Sequence, residues 1–335
     1  MKNAKLTDTR YLYLSSLIFV MESTLAGKEQ YEKWLDAESF DDCLRMTAEF
    51  YSGRGEVPSG DEEALLRFIT ENTVREIEEA LLSCGGEENL LVPFRLVSDG
   101  HNVKSCIKCE KRGISPESLL MSGGTVPKET VREAVEKRDF SVFTPHVAEA
   151  CPEAIEAFSK SGDPSVIDRL IDRAVFADRA EICEKIALPY LTELCGLKAD
   201  LLNFLSFVRC IRIGAERGFF ESFFLPGGTL PLSFFTEHYK SGAENLLRTL
   251  SVRPMFSRLE AAADTEMSLG ELEKLCDDIY LEKALSARNI PFGAEKPLMF
   301  IVEREAETQN IRIILSGKKA SLSKEKLRAR LRGGV

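Results

Sequence analysis

Histidine and tryptophan are almost missing from this chain: His101, His146 and His238 are its three histidines, and Trp34 its one tryptophan. No histidine stands at ligand spacing from another or from a cysteine pair, so the usual motifs of a zinc site or a histidine-centred catalytic site do not appear. No stretch reaches the ~18 consecutive apolar residues that a membrane-spanning helix needs. Alternating β-branched runs and Asn-Gly hairpin turns are likewise absent, while apolar residues recur at helical spacing. The expected fold class is all-α.

Other shortages narrow the chemistry. A phosphate-cradling P-loop needs the G-x-x-x-x-G-K-[ST] pattern between a strand and a helix, and the chain has neither. Carboxylates are plentiful but occur in solvated runs such as Glu78-Glu79 and Glu87-Glu88. The nine cysteines are odd in number and scattered through apolar periodic stretches, as expected of thiols used as small core residues in a reducing compartment. Cys106-x-x-Cys109 lies inside a helical pattern with no second ligand pair, which favours the core reading. A rival reading, an enzyme using these two thiols with a metal, predicts stoichiometric zinc. No catalytic, cofactor-binding or metal-binding constellation is expected, and no small-molecule substrate.

What is present is a chain of 335 residues, 44% apolar and 29% charged, a composition that fits a globular protein. Its formal charge of −10 argues against nucleic acid as a partner, since duplex binding rests on basic contacts to phosphate. The charge is uneven: Lys318, Lys319, Lys324, Lys326, Arg328, Arg330 and Arg332 are opposed only by Glu325. This end reads either as a solvated basic helix or as a docking surface for an acidic partner. In the second reading Lys318, Lys319, Arg328 and Arg330 form a subunit interface. At the other end, Lys2, Lys5 and Arg10 precede an apolar run, Tyr11 to Val20, somewhat like a signal peptide. The run continues at helical spacing through Leu25 with no small-residue cleavage site, so an amphipathic helix over residues 8–27 is expected.

One phrase occurs three times. It reads Asp99-Gly-His-Asn102, Asp200-Leu-Leu-Asn203 and Glu307-Thr-Gln-Asn310, each followed by an apolar residue and a helical run. The run ends eleven residues after each asparagine, at Gly113, Gly214 and Ser321. A second phrase follows the first two copies, Gly123-Gly124-Thr125-Val126-Pro127 and Gly227-Gly228-Thr229-Leu230-Pro231, and Gly333-Gly334 follows the third. A spacing of about a hundred residues points to three related units, drawn here at 1–128, 129–232 and 233–335. The acids of the first two copies are expected near helix starts, where they favour the positive end of the helix dipole. The asparagines are expected to bond across to neighbouring helices, holding the repeats together. A capping box from Ser59 to Glu62 opens one further helix, and helices are expected over Pro152–Ser159, Pro164–Leu188 and Ser233–Ser251.

At the third phrase the chain resembles a known family. Pro297-Leu-Met-Phe-Ile-Val-Glu303-Arg304-Glu305-Ala-Glu307-Thr-Gln-Asn310-Ile-Arg312-Ile-Ile is similar to the C-terminal signature of the central-stalk C subunit of V/A-type rotary ATPases, called the d subunit in eukaryotes. The resemblance extends through Tyr11 to Leu25, through His101-Asn102-Val103-Lys104 with its Gly-Gly-Thr-Val-Pro turn, and through Asn203 to Gly228, most of the chain. Leu205 departs from it where the other copies have Lys104 and Arg312, and Ser321 replaces the helix-ending glycine. The resemblance implies three similar helical domains in a pseudo-threefold funnel. It implies a non-catalytic rotor subunit, one per complex, seated between the central stalk shaft and the membrane proteolipid ring. The chain would then be cytoplasmic, held peripherally on the membrane by its complex, and would transmit torque for ion transport or ATP synthesis. A free-standing helical-repeat adaptor is the alternative.

Overall fold

The computed structural model describes residues 10–58, 60–259 and 267–334, and these contain helices, turns and loops but no strand. In chain order the first α-helices are α1 (Arg10–Glu22), α2 (Lys28–Asp36), α3 (Phe40–Tyr51) and α4 (Glu62–Ser83). The middle of the chain forms α5 (Val92–Arg112), α6 (Lys128–Lys137), α7 (Pro145–Ser161), α8 (Ser165–Ile186) and α9 (Pro189–Arg212). Then come α10 (Arg217–Phe223), α11 (Leu232–His238) and α12 (Gly242–Ser251), and finally α13 (Leu269–Leu285), α14 (Glu295–Lys319) and α15 (Lys324–Arg328). The chain divides into two compact units, one formed by Met1–Glu88 with Gly270–Val335, the other by Asn89–Leu269.

In the first unit, Ser39 opens α3 by accepting the Asp42 N–H, with Asp41 and Asp42 in its first turn. Ser59, the start of the expected capping box, lies outside the described residues. Asp61 caps α4 by accepting from the N–H groups of Glu63 and Ala64. Helix α14 is the axis of this unit, packing on α4, α1 and α3. Trp34, Tyr51, Leu65 and Ile69 close on Ile311, Leu315 and Leu327 around it. An edge-to-face chain of rings runs from Tyr31 to Trp34 at 5.4 Å and from Trp34 to Phe50 at 5.5 Å.

In the second unit Val103, Ile107, Val131, Val147, Ile167 and Ile171 belong to one core built by α5 to α8. Lys104 and Lys108, on one face of α5, each reach a carboxylate of α8, Asp172 and Asp168, at 2.5 Å. The expected single helix over Ser233–Ser251 is two helices, α11 and α12, the second opening at Gly242 with a left-handed φ of 87°. Pro152 does not open a helix either, but sits inside α7. That helix is opened by Pro145, whose missing N–H costs nothing in a first turn.

The start of α7 is fixed by Asp178 of α8. Its carboxylate accepts from the Thr144 hydroxyl at 2.5 Å, the His146 N–H at 3.2 Å and the Val147 N–H at 3.0 Å. Beside it, the Glu181 carboxylate lies 2.8 Å from His146 Nε2 and holds that imidazole above its usual range. The protonated form is the one favoured, so the stabilising effect is full below the ordinary value of 6.5 and is lost as pH rises through the raised one. We predict that the His146 ring protons, followed by NMR, titrate above 6.5, and that Glu181→Gln brings the midpoint down towards it. An unchanged midpoint in that variant would show that the pair does not form in solution.

Candidate functional site

The three asparagines are buried and make the same contact. Asn102 donates to the Met121 carbonyl and accepts from the Met121 N–H, both at 2.8 Å. Asn203 treats Leu225 the same way, both bonds again 2.8 Å. Asn310 accepts the Arg332 N–H at 2.7 Å and donates to its carbonyl at 3.2 Å. Each side-chain amide thus pairs with both polar groups of a single backbone residue, as a neighbouring strand would. The partner is a loop residue in the first two copies and the start of a short 3-10 turn in the third, not an adjacent long helix as the sequence suggested. An amide is suited to this because it carries a donor and an acceptor side by side.

The acids of the first two copies lie in mid-helix, on α5 and α9, not at helix starts. They serve the start of a different helix. Asp99 accepts from the Thr125 N–H at 3.0 Å, the Thr125 hydroxyl at 2.5 Å and the Val126 N–H at 3.1 Å, just ahead of α6. Asp200 accepts from the Thr229 N–H at 2.9 Å, the Thr229 hydroxyl at 2.7 Å and the Leu230 N–H at 3.0 Å, just ahead of α11. The expectation of a carboxylate at the positive end of a helix dipole is met across space instead of along the chain. Burial pushes both carboxyls up, while the Thr hydroxyl and the two backbone N–H groups pull them back down.

The Gly-Gly-Thr phrase follows from this geometry. A Cβ on Gly124 would stand 2.1 Å from Asp99 Oδ1, and one on Gly228 would stand 2.1 Å from Asp200 Oδ1. The second glycine of each phrase is what lets the loop reach the carboxylate. The N–H groups of Thr125, Val126, Thr229 and Leu230 are thereby held by the aspartates.

In the third copy Glu307 turns to the other end of the chain. It accepts the Ala26 N–H at 2.5 Å, the residue before the N-cap of α2, and pairs with Arg304. Val126, Leu230 and Ala26 are therefore equivalent, each standing immediately before an N-cap and each bound to the acid of a repeat. Both Arg304 and Glu307 are nearly fully buried. Arg304 also donates to the Tyr51 hydroxyl at 3.3 Å and to Thr24 Oγ1 at 3.0 Å. Burial and then the Glu307 charge push the Tyr31 and Tyr51 hydroxyls well up, so both stay neutral.

The helix-ending positions are equivalent too. Gly113, Gly214 and Ser321 have φ of 66°, 67° and 53°, so Ser321 adopts the left-handed conformation that glycine supplies in the other copies.

Most of the basic C-terminal residues are engaged within their own unit. Lys318 Nζ donates to the Leu35 carbonyl at 2.8 Å and to that of Ala37, closing the end of α2. Lys319 pairs with Glu62 at 2.6 Å and stands 4.3 Å over the Phe40 ring. Arg328 pairs with Glu32 at 2.5 Å, which Lys324 also meets at 3.1 Å. Arg330 and Lys326 are exposed and make no ion pair among the described residues. Cys106 and Cys109 are both buried in α5, and burial pushes the Cys106 thiol up to about 12. Among the described residues no group of histidine, cysteine and acid side chains is arranged to hold a metal, and no helix is long and apolar enough to cross a membrane.

Fold and clamps together define a protein that is all-helical over the described residues and whose recurring polar residues bind its own backbone. The chain matches the ATP synthase (C/AC39) subunit family over residues 14–330, and it belongs to that family, the C or d subunits of V-type ATPases. It is 24% identical over 334 residues to the C subunit of the V-type sodium ATPase of Enterococcus hirae, covering 96% of this chain and 98% of that protein. It is 24% identical over 309 residues to the C subunit of the V-type ATP synthase of Thermus thermophilus, covering 91% of this chain and 93% of that protein.

The clamps make their removal measurable. Asn203→Ala leaves the N–H and C=O of Leu225 without their partner and should cost ~2–4 kcal/mol in denaturant unfolding. Gly228→Ala should cost ~1–3 kcal/mol by pushing the loop off Asp200, whereas Gly123→Ala, whose nearest atom would be Ser98 Oγ at 3.6 Å, should be tolerated. Equal effects from the two glycine variants would contradict the clamp. In the third copy, Arg304→Met alone strands a buried charge and should cost ~3–5 kcal/mol. Adding Glu307→Gln, which keeps an acceptor for Ala26, should recover much of it. A strictly additive double variant would show that the pair is not coupled.

Proposed function

We propose that this chain is the rotor socket of a V/A-type ATPase, joining the central stalk shaft to the membrane proteolipid ring and transmitting torque between them. The observation that carries the reading is the match to one family from residue 14 to residue 330, in a chain whose repeated motif is occupied by its own backbone. A coupling element must resist twisting, and buried carboxylate and amide clamps that tie loops to long helices suit that demand. Each of the segments 1–128, 129–232 and 233–335 contributes one acid–asparagine pair, which supports three similar domains around a pseudo-threefold funnel. The subunit acts without catalysing a reaction itself, one copy per complex, on the cytoplasmic face of the membrane. The named activities of the relatives, a sodium ATPase and an ATP synthase, leave both directions of coupling and either ion open to it.

Within this proposal the basic C-terminal stretch, Lys318, Lys319, Arg328 and Arg330, borders a subunit interface. Internal pairing makes the four unequal. Charge reversal at Lys318 or Arg328 should lower stability and assembly together, because their acceptors lie on α2 and its C-terminal cap. Charge reversal at the exposed Arg330 should weaken assembly while leaving the melting temperature of the isolated chain unchanged. Full yield of complex with reversed Arg330 would remove that residue from the interface. The proposal as a whole is tested by tagging the chain, solubilising host membranes in mild detergent and identifying what copurifies. A catalytic head together with a proteolipid ring is the expected result. Recovery of neither would favour the free-standing adaptor.

A further inference from the structure

Helices α8 and α9 form an antiparallel hairpin through Ala187 and Leu188, and two cysteines face each other across it. Cys183 is near the end of α8 and Cys195 is in the second turn of α9. The Cys195 side chain is the strongest influence on the Cys183 thiol. Both line a cleft of about 280 Å³ in the second unit, together with Phe176, Arg179, Gly196 and Gly227. Arg179 is buried, its guanidinium stacked 4.8 Å over the Phe176 ring, and its Nη2 donates to Cys195 Sγ at 3.6 Å. Cys106 and Cys151, by contrast, are packed as small apolar residues in the core of α5 to α8.

We infer that Cys195 and Cys183 form a peroxide-reactive thiol pair, with Cys195 as the attacking sulfur and Cys183 as the resolving one. The Arg179 guanidinium, donating to Cys195 Sγ at 3.6 Å, is placed to meet negative charge on that sulfur. The neighbouring Cys195, and then burial, pushes the Cys183 thiol far up, so that it stays protonated while Cys195 is reduced. The cleft gives a small oxidant a path to sulfurs that are otherwise buried.

The chemistry closes in two steps. The Cys195 thiolate attacks one oxygen of hydrogen peroxide, the O–O bond breaks, hydroxide leaves and Cys195 becomes a sulfenic acid. Oxidation removes the negative charge on Cys195 that opposed ionisation of Cys183; Cys183 passes its proton to the sulfenic hydroxyl and attacks the Cys195 sulfur, an S–S bond forms, the S–O bond breaks and water leaves. Two thiols are oxidised and one peroxide is reduced to two waters. The disulfide would fasten α8 to α9 beside Gly227 and Gly228, the loop that Asp200 holds.

The test uses the full-length chain, treated with a few equivalents of hydrogen peroxide under native conditions, then denatured, alkylated and digested with trypsin. Cleavage after Arg179, Lys185 and Lys198 places the two cysteines on separate peptides, 180–185 and 186–198. The expected result is that these two peptides, joined and released by reductant, exceed oxidation at any other cysteine by about ten-fold. In Cys183→Ser, Cys195 should instead be trapped as a sulfenic acid by dimedone. In Arg179→Gln, checked for native helicity, the reaction should slow by about ten-fold. Recovery of both peptides fully alkylated while other cysteines oxidise would overturn the assignment. So would unchanged oxidation of Cys183 in Cys195→Ser.

Discussion

A buried polar side chain on a long helix, bound to the backbone of a returning loop, is the contact on which the rest of this structure depends. A loop that packs against a helical core carries N–H and C=O groups that water cannot reach, and each such group left unpaired costs about as much as several buried methylenes contribute. Asn102, Asn203 and Asn310 meet that demand with one amide each, pairing both groups of one residue. Asp99 and Asp200 meet it at the next helix start, with three acceptor contacts apiece. The same side chains therefore set where a loop lies and where the following helix begins. Asp178 does similar work for α7 with no place in the repeated phrase.

The third copy shows how one plan is adapted to the two ends of a chain. Its asparagine keeps the contact, holding Arg332 next to Gly333. Its acid, lengthened to glutamate, reaches the start of α2 instead, with Ala26 standing where Val126 and Leu230 stand in the other copies. The N-terminal and C-terminal segments thereby complete a single compact unit. The extra reach brings a buried arginine with it, since Glu307 has one backbone donor, Ala26, where the aspartates have two. Arg304 fills that role and also donates to Tyr51 and Thr24.

Much of this was legible in the sequence. The missing strand signals pointed to the all-helical fold, and the repeated acid, asparagine and helix end marked residues that prove equivalent in position and contact. Ser321 could be aligned with Gly113 and Gly214 by spacing alone. What spacing could not supply was the identity of the partners. The loop residue bound by each asparagine lies 19 or 22 positions away, and Ala26 lies 281 positions from Glu307. The acids looked like local caps because the dipole they serve belongs to another helix. The basic tail looked uniformly available because Glu32 and Glu62, which neutralise much of it, are far upstream. Cys183 and Cys195 carried no signal at all, since a hairpin of two helices, not a motif, brings them together.

The central claim is that the three asparagine contacts are part of the cooperative core and not decoration on mobile loops. Native-state hydrogen exchange at the amides of Met121, Leu225 and Arg332 tests it most directly, because each N–H is held by an asparagine oxygen at 2.8, 2.8 and 2.7 Å. The account predicts that these loop amides exchange as slowly as the interior amides of the helices in their own unit, opening only when that unit unfolds. Exchange at the rate of exposed loop amides would contradict it.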